Sequence, residues 1–195
     1  MSPSTEAGDV PEPFRRALDG LHAARVRSDI ALKETPAPQR LAPHTAALAA
    51  VVRSGETELA MGRLILLYDP EGQPGWEGTF RIVTYVRADL EPEIAGDPLL
   101  PPVGWSWLTE ALDAHGATYL APSGTVTRVA SESFGNMADE PATSEVELRA
   151  SWTPTGDDLK SHVEAWCDVL SLAAGLPPAP PGVAALPPRR RSDVG

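Results

Sequence analysis

Cysteine is almost missing from this 195-residue chain, where Cys167 stands alone. One thiol excludes an internal disulfide and any cysteine-rich zinc or iron–sulfur site. Long apolar runs are missing too. No stretch reaches about 18 apolar residues, so no bilayer-spanning helix is expected. Met1 to Asp9 is polar and acidic, without the basic and apolar regions of a secretory signal. A cytoplasmic protein is therefore expected. Positive charge is scarce: 16 Lys and Arg stand against 27 Asp and Glu, a formal net charge of −11. Such a surface repels phosphate backbones and anionic bilayers, so neither nucleic acid nor membrane is an expected partner. It suits a dispersed soluble protein, or one that meets a basic partner.

Motifs of bond-making chemistry are missing as well. There is no glycine-rich phosphate loop and no Gly-x-Ser-x-Gly. His22, His44, His115 and His162 are scattered, and no pair has the i, i+4 spacing of a helical metal site. Asp89, Glu91, Glu93 and Asp97 crowd one segment, but their spacing matches no calcium loop and Pro92 stiffens it. Cys167 sits on an amphipathic stretch with no cation in view to activate it, and reads as a small buried hydrophobe. No catalytic residue, metal or cofactor is expected.

What is present is organised around residues 59–90, the longest β-rich stretch, folded in two by a Gly/Pro loop. Residues 60–68 are nearly all apolar and predict a covered central strand. In the returning strand Phe80, Ile82, Thr84 and Val86 share one face, and Arg81, Val83, Tyr85 and Arg87 share the other. Residues 143–152 alternate: Val146, Leu148, Ala150 and Trp152 inward, Glu145, Glu147, Arg149 and Ser151 outward. Residues 117–120 and 124–134 read as extended, and 28–33 as a short extended piece.

Helical spacing predicts four helices. The first opens near Pro11 and carries the stripe Phe14, Ala17, Leu18, Leu21 and Ala24. The second runs over 43–53, buries Thr45, Leu48, Ala49, Val51 and Val52, and stops at Gly55. The third covers 103–115 and stops at Gly116. The last buries Leu159, Val163, Trp166, Val169, Leu170 and Ala173, with Asp157 and Asp158 at its start and Gly175 and Pro177 at its end. Prolines gather towards both ends of the chain. They divide it into a leader (1–11), one domain (12–176) and a proline-rich tail (177–195) holding the polyproline-like Leu186-Pro-Pro-Arg189. The expected architecture is α+β: an antiparallel sheet of four to five strands with helices on one face, in the order α-α-β-β-α-β-β-α.

Val86-Arg-Ala-Asp-Leu-Glu-Pro92 and Leu148-Arg-Ala-Ser-Trp-Thr-Pro154 echo each other. Two β-β-α units would account for this, and so would chance, because strands commonly end before proline. Trp105 and Trp107 are two apart on a helix and point about 200° from one another. With Trp76 in the hairpin loop, they are the candidate interface residues, since aromatic side chains anchor contacts. Two functions are consistent with these features. One is a non-enzymatic binding or chaperone-like module that meets a protein partner or a second copy. The other is a small-molecule enzyme with a polar pocket near Ser131 to Asn136.

Several segments together carry a family resemblance: Leu66-Leu-Tyr-Asp-Pro-x-Gly, Arg81-Ile-Val-Thr-Tyr-Val, Asp97-Pro-Leu-Leu, Gly104-Trp-Ser-Trp-Leu, Arg149-Ala-Ser-Trp-Thr-Pro and His162-Val-Glu-Ala-Trp-Cys. From about Phe14 to Pro178 the chain resembles an actinobacterial family of unknown function, the domain of unknown function numbered three thousand. The resemblance implies a bacterial cytosolic setting, and it brings no assigned activity and no functional residues. By element order alone the chain is also similar to small acidic secretion chaperones, which are dimeric and bind extended segments.

Overall fold

A computed structural model describes residues 10–156 and 158–177. The expected leader (apart from Val10 and Pro11), Asp157, and the tail from residue 178, including Leu186 to Arg189, lie outside the described residues. The element order is α1 (Glu12–Ala23), β1 (Ile30–Glu34), β2 (His44–Ser54), β3 (Thr57–Tyr68), β4 (Phe80–Asp89), α2 (Pro92–Ala95), α3 (Leu100–Ala114), β5 (Tyr119–Ser131), β6 (Thr143–Pro154) and α4 (Lys160–Ala173). A 3-10 turn, Gly135–Met137, interrupts the β5–β6 connection.

The fold is α+β, with one open antiparallel sheet in the order β1-β2-β3-β4-β6-β5. Six strands replace the expected four to five, and the expected element order is corrected: its second helix is a strand, β1 is added before it, and the short α2 precedes α3. Residues 43–53, predicted as a helix, are β2. Alanines 46, 47, 49 and 50 favour a helix locally, but a ladder to β3 from His44↔Tyr68 to Ser54↔Thr57 decides the outcome. Once β2 is a strand, Ile30–Glu34 gains a partner and becomes β1. The two extended pieces after α3 are one strand, β5, with a register shift between Leu120 and Ser123. The looser likeness to secretion chaperones rested on an element order that the structure does not have.

The even-numbered residues of the central strands form the core. Leu64, Leu66, Ile82, Val86, Leu148 and Trp152 are at most 4% exposed and face the helices. α4 contributes Val163, Trp166, Val169 and Leu170 to the same cluster, and α1 contributes Phe14, Ala17 and Leu21. α1 seats an aromatic row over the sheet end, with Phe14 and Tyr68 centroids 5.9 Å apart and Tyr68 and Phe80 4.6 Å apart.

The internal echo has a structural counterpart. Val86 pairs with Leu148 across the β4–β6 ladder. A local two-fold axis through that pair carries Arg87 onto Arg149 and Ala88 onto Ala150. The same element order, a hairpin and then a helix, recurs in β3-β4-α3 and β5-β6-α4, with the short α2 before α3. The helices are exchanged: α3 lies chiefly on α4 and on β5, whereas α4 lies on β3 and β4. Each helix lays a tryptophan on a glycine. A Cβ added at Gly62 would be 2.9 Å from the Trp166 ring, and one at Gly124 would be 2.8 Å from the Trp105 ring. Only hydrogen fits at either glycine.

Candidate functional site

All the long helices pack on one face of the sheet, so the other face is free to work. It carries the odd-numbered residues of β3, β4 and β6, and Ser123, Thr125 and Thr127 of β5. In its middle is a groove of about 480 Å3, lined among others by Arg63, Ile65, Val83, Tyr85, Ser123 and Arg149. Ile65 and Val83 are directly paired across β3 and β4 and form an apolar floor. Arg63 and Arg149 flank it.

Arg149 lies over the Tyr85 ring, 5.2 Å from its centroid, and its Nη1 is 2.9 Å from Glu147. The Tyr85 hydroxyl donates to Glu147 at 2.9 Å. Burial, together with that bond, raises the phenol's pKa, so it remains a donor. Arg63 donates to the Pro36 carbonyl. Arg87 pairs with Glu145 further along the same face.

One end of this face is closed. Arg81 is only 8% exposed there. Its Nη1 donates to the Ala121 carbonyl (2.9 Å) and to Thr153 Oγ1 (3.1 Å). Its Nη2 donates to Ser151 Oγ (2.7 Å) and Ser123 Oγ (3.2 Å). All four acceptors are neutral. No carboxylate among the described residues pairs with this guanidinium, and its pKa is lowered by burial, with only Glu77 acting in the opposite direction. Thr153 donates its own hydroxyl hydrogen bond to the Trp76 carbonyl, which ties the β3–β4 loop down over this end. The β5 irregularity belongs to the same node, because Ala121 takes a positive φ of 48° where its carbonyl receives Arg81.

The sequence-predicted residues are placed as follows. Trp76 is 9% exposed and belongs to the closed end rather than to a free surface. Trp105 and Trp107 are half-buried, and both rest against the core. Ser131 ends β5, roughly 26 Å along the strand from Ser123 at about 3.3 Å per residue. Beyond it Phe134 is 76% exposed. The four arginines of the first segment divide: Arg15 and Arg16 meet Glu12, Arg27 forks onto Asp29, and the Arg25 amide donates to Glu164. Cys167 is 2% exposed, and burial drives its thiol pKa far above the ordinary value.

His162 is 3% exposed and accepts the Trp152 Nε1–H at its Nδ1, 3.0 Å away. That bond fixes the neutral tautomer with its proton on Nε2. Burial lowers the imidazole pKa to about 4, with a small opposing effect from Asp158. No group of three or more His, Cys, Asp or Glu placed to hold a metal lies among the described residues.

Arg81 and the groove residues went unnoticed in the sequence because they sit on four different strands. One signal was available. Arg81 stands between Phe80 and Ile82 at a strand position that faces the β3–β4 loop, and a charge in so apolar a strand rarely lies idle.

Fold and groove together define a helix-backed antiparallel sheet domain with a polar, arginine-flanked open face. The chain belongs to the family described as "Protein of unknown function (DUF3000)", whose model matches residues 10–184. No curated protein and no solved structure matches it significantly.

Proposed function

We propose that the chain is a non-enzymatic binding module whose working surface is the open sheet face over β3, β4, β6 and β5. One observation carries this reading. The groove has an apolar floor, Ile65 and Val83, set among donors and flanked by two arginines, in a protein of net charge −11. An apolar floor with a few convergent polar groups is the usual form of a ligand site. Its volume of about 480 Å3 lies in the range of such sites. Among the described residues the face brings no nucleophile–base pair together, which favours binding over turnover.

The reading is tested with 8-anilinonaphthalene-1-sulfonate, an aromatic anion, titrated into the 15N-labelled chain. Amide shifts are expected to concentrate at Ile65, Val83, Thr125 and Ser151. Shifts centred instead on the smaller depression between α1 and β2, at Leu18 and Ala46, would place the surface elsewhere. An absence of any shift at millimolar dye would remove the proposal.

A further inference from the structure

The groove's hydroxyls have a fixed direction, and this points to a ligand class. This inference deepens the binding reading above and rests on it. A guanidinium only donates. Every hydroxyl oxygen that accepts from Arg81 must therefore turn its own hydrogen elsewhere. Thr153 turns its hydrogen to the Trp76 carbonyl. Ser123 and Ser151 also accept from Arg81, and both line the groove. Their oxygens are 3.2 Å apart, so at most one of their two hydrogens is spent between them. At least one O–H is left to donate into the groove.

The rest of the lining agrees in sign. Arg63 and Arg149 add donors and charge, and no carboxylate lines the groove. Glu147 is beside it but is engaged by Tyr85 and Arg149. Behind the serines lies the Arg81 charge, hydrogen-bonded to neutral acceptors with no carboxylate in direct contact among the described residues. The site thus presents donors and positive charge above a two-residue apolar floor.

We propose that this groove binds a small organic carboxylate with an apolar or aromatic body. The carboxylate accepts from Ser151 or Ser123 and from Arg149, and the body rests on Ile65 and Val83. A compact ligand is favoured over an extended acidic chain, because the Trp76 loop closes the groove at the Arg81 end. No bond is made or broken.

The test uses the full chain and two matched probes, 4-phenylbutyrate and its neutral amide, 4-phenylbutyramide, with affinities from calorimetry at low salt. The carboxylate is expected to bind at least tenfold tighter than the amide. Raising sodium chloride to half molar should erase most of that preference. Arg149→Gln, at an exposed position, is expected to cut carboxylate affinity about tenfold and to affect the amide far less, with an unchanged thermal melt confirming that the variant is folded.

Equal affinity of the two probes for the unaltered chain would overturn the carboxylate assignment and leave the binding surface standing. Failure of both probes to bind would remove the carboxylate assignment, while the dye titration decides separately whether the surface stands. Tighter binding of an extended acidic peptide, acetyl-Glu-Val-Glu-Val-Glu-amide, than of 4-phenylbutyrate would overturn the small-ligand assignment in favour of a protein partner.

Discussion

Lowering the pH should destabilise this protein through one side chain, His162. The imidazole is 3% exposed, and its pKa falls from 6.5 in the unfolded chain to about 4 in the fold. Two causes act together. Burial penalises the cation, and a proton at Nδ1 would face the Trp152 N–H where a lone pair now accepts it. The sign follows from linkage. Between pH 6.5 and 4 the unfolded chain takes up a proton that the native state refuses, so acid favours unfolding. The contribution of His162 to stability is whole above about pH 6.5 and fades as pH falls towards 4. At about 1.4 kcal/mol per pKa unit, the full loss comes to about 3 kcal/mol.

The measurement is the urea midpoint followed by tryptophan fluorescence at several pH values between 7.5 and 4.5, for the native chain and for His162→Gln. The glutamine oxygen can still accept from Trp152, and it does not titrate. Carboxylates act on both proteins alike, so the difference between the two isolates His162. That difference should shift by about 2–3 kcal/mol across the range, against the native chain at the acid end. A difference constant to within about 0.5 kcal/mol would show that the buried histidine is charged in the fold, or solvated, and the reasoning would fail.

Three further outcomes follow from the packing. Gly62→Ala should lower stability by about 2 kcal/mol, because the new methyl meets the Tyr85 carbonyl, Trp166 and Leu170 at under 3 Å; thermal melting checks this. Arg81→Lys should cost about 2 kcal/mol, since an ammonium cannot reach four acceptors spread over two strands; a denaturant midpoint equal to that of the native chain would refute it. Cys167 should resist a disulfide-exchange reagent at pH 8 in the folded protein and react fully in denaturant, and rapid labelling of the native state would contradict its burial.

Much of the fold was legible where a local signal and the tertiary contacts agree. The β3–β4 hairpin, β6 and α4 all lie where alternation or helical spacing placed them. Strand β2 was not legible, because an alanine-rich segment reads as a helix until the partner strand supplies its ladder. The candidate site was half legible. The faces of β4 and β6 were assigned correctly, with Arg81, Val83 and Tyr85 on one strand and Arg149 and Ser151 on the other. Their meeting depends on the β4–β6 pairing, across some 60 residues of chain, and no local pattern encodes that register. Ser123 joins them only through the β5 irregularity at Ala121.

The exchange of helices across the local two-fold axis bears on how the molecule can be taken apart. Every ladder except β4–β6 joins strands adjacent in sequence, so local hairpins can form early and the seam must close last. A cut in the turn at Gly116 would leave two fragments, each missing the helix that covers its own strands. Neither piece could hide its apolar side alone. Mixed together, they should recover the native assembly, which makes this chain a candidate for splitting into a complementation pair.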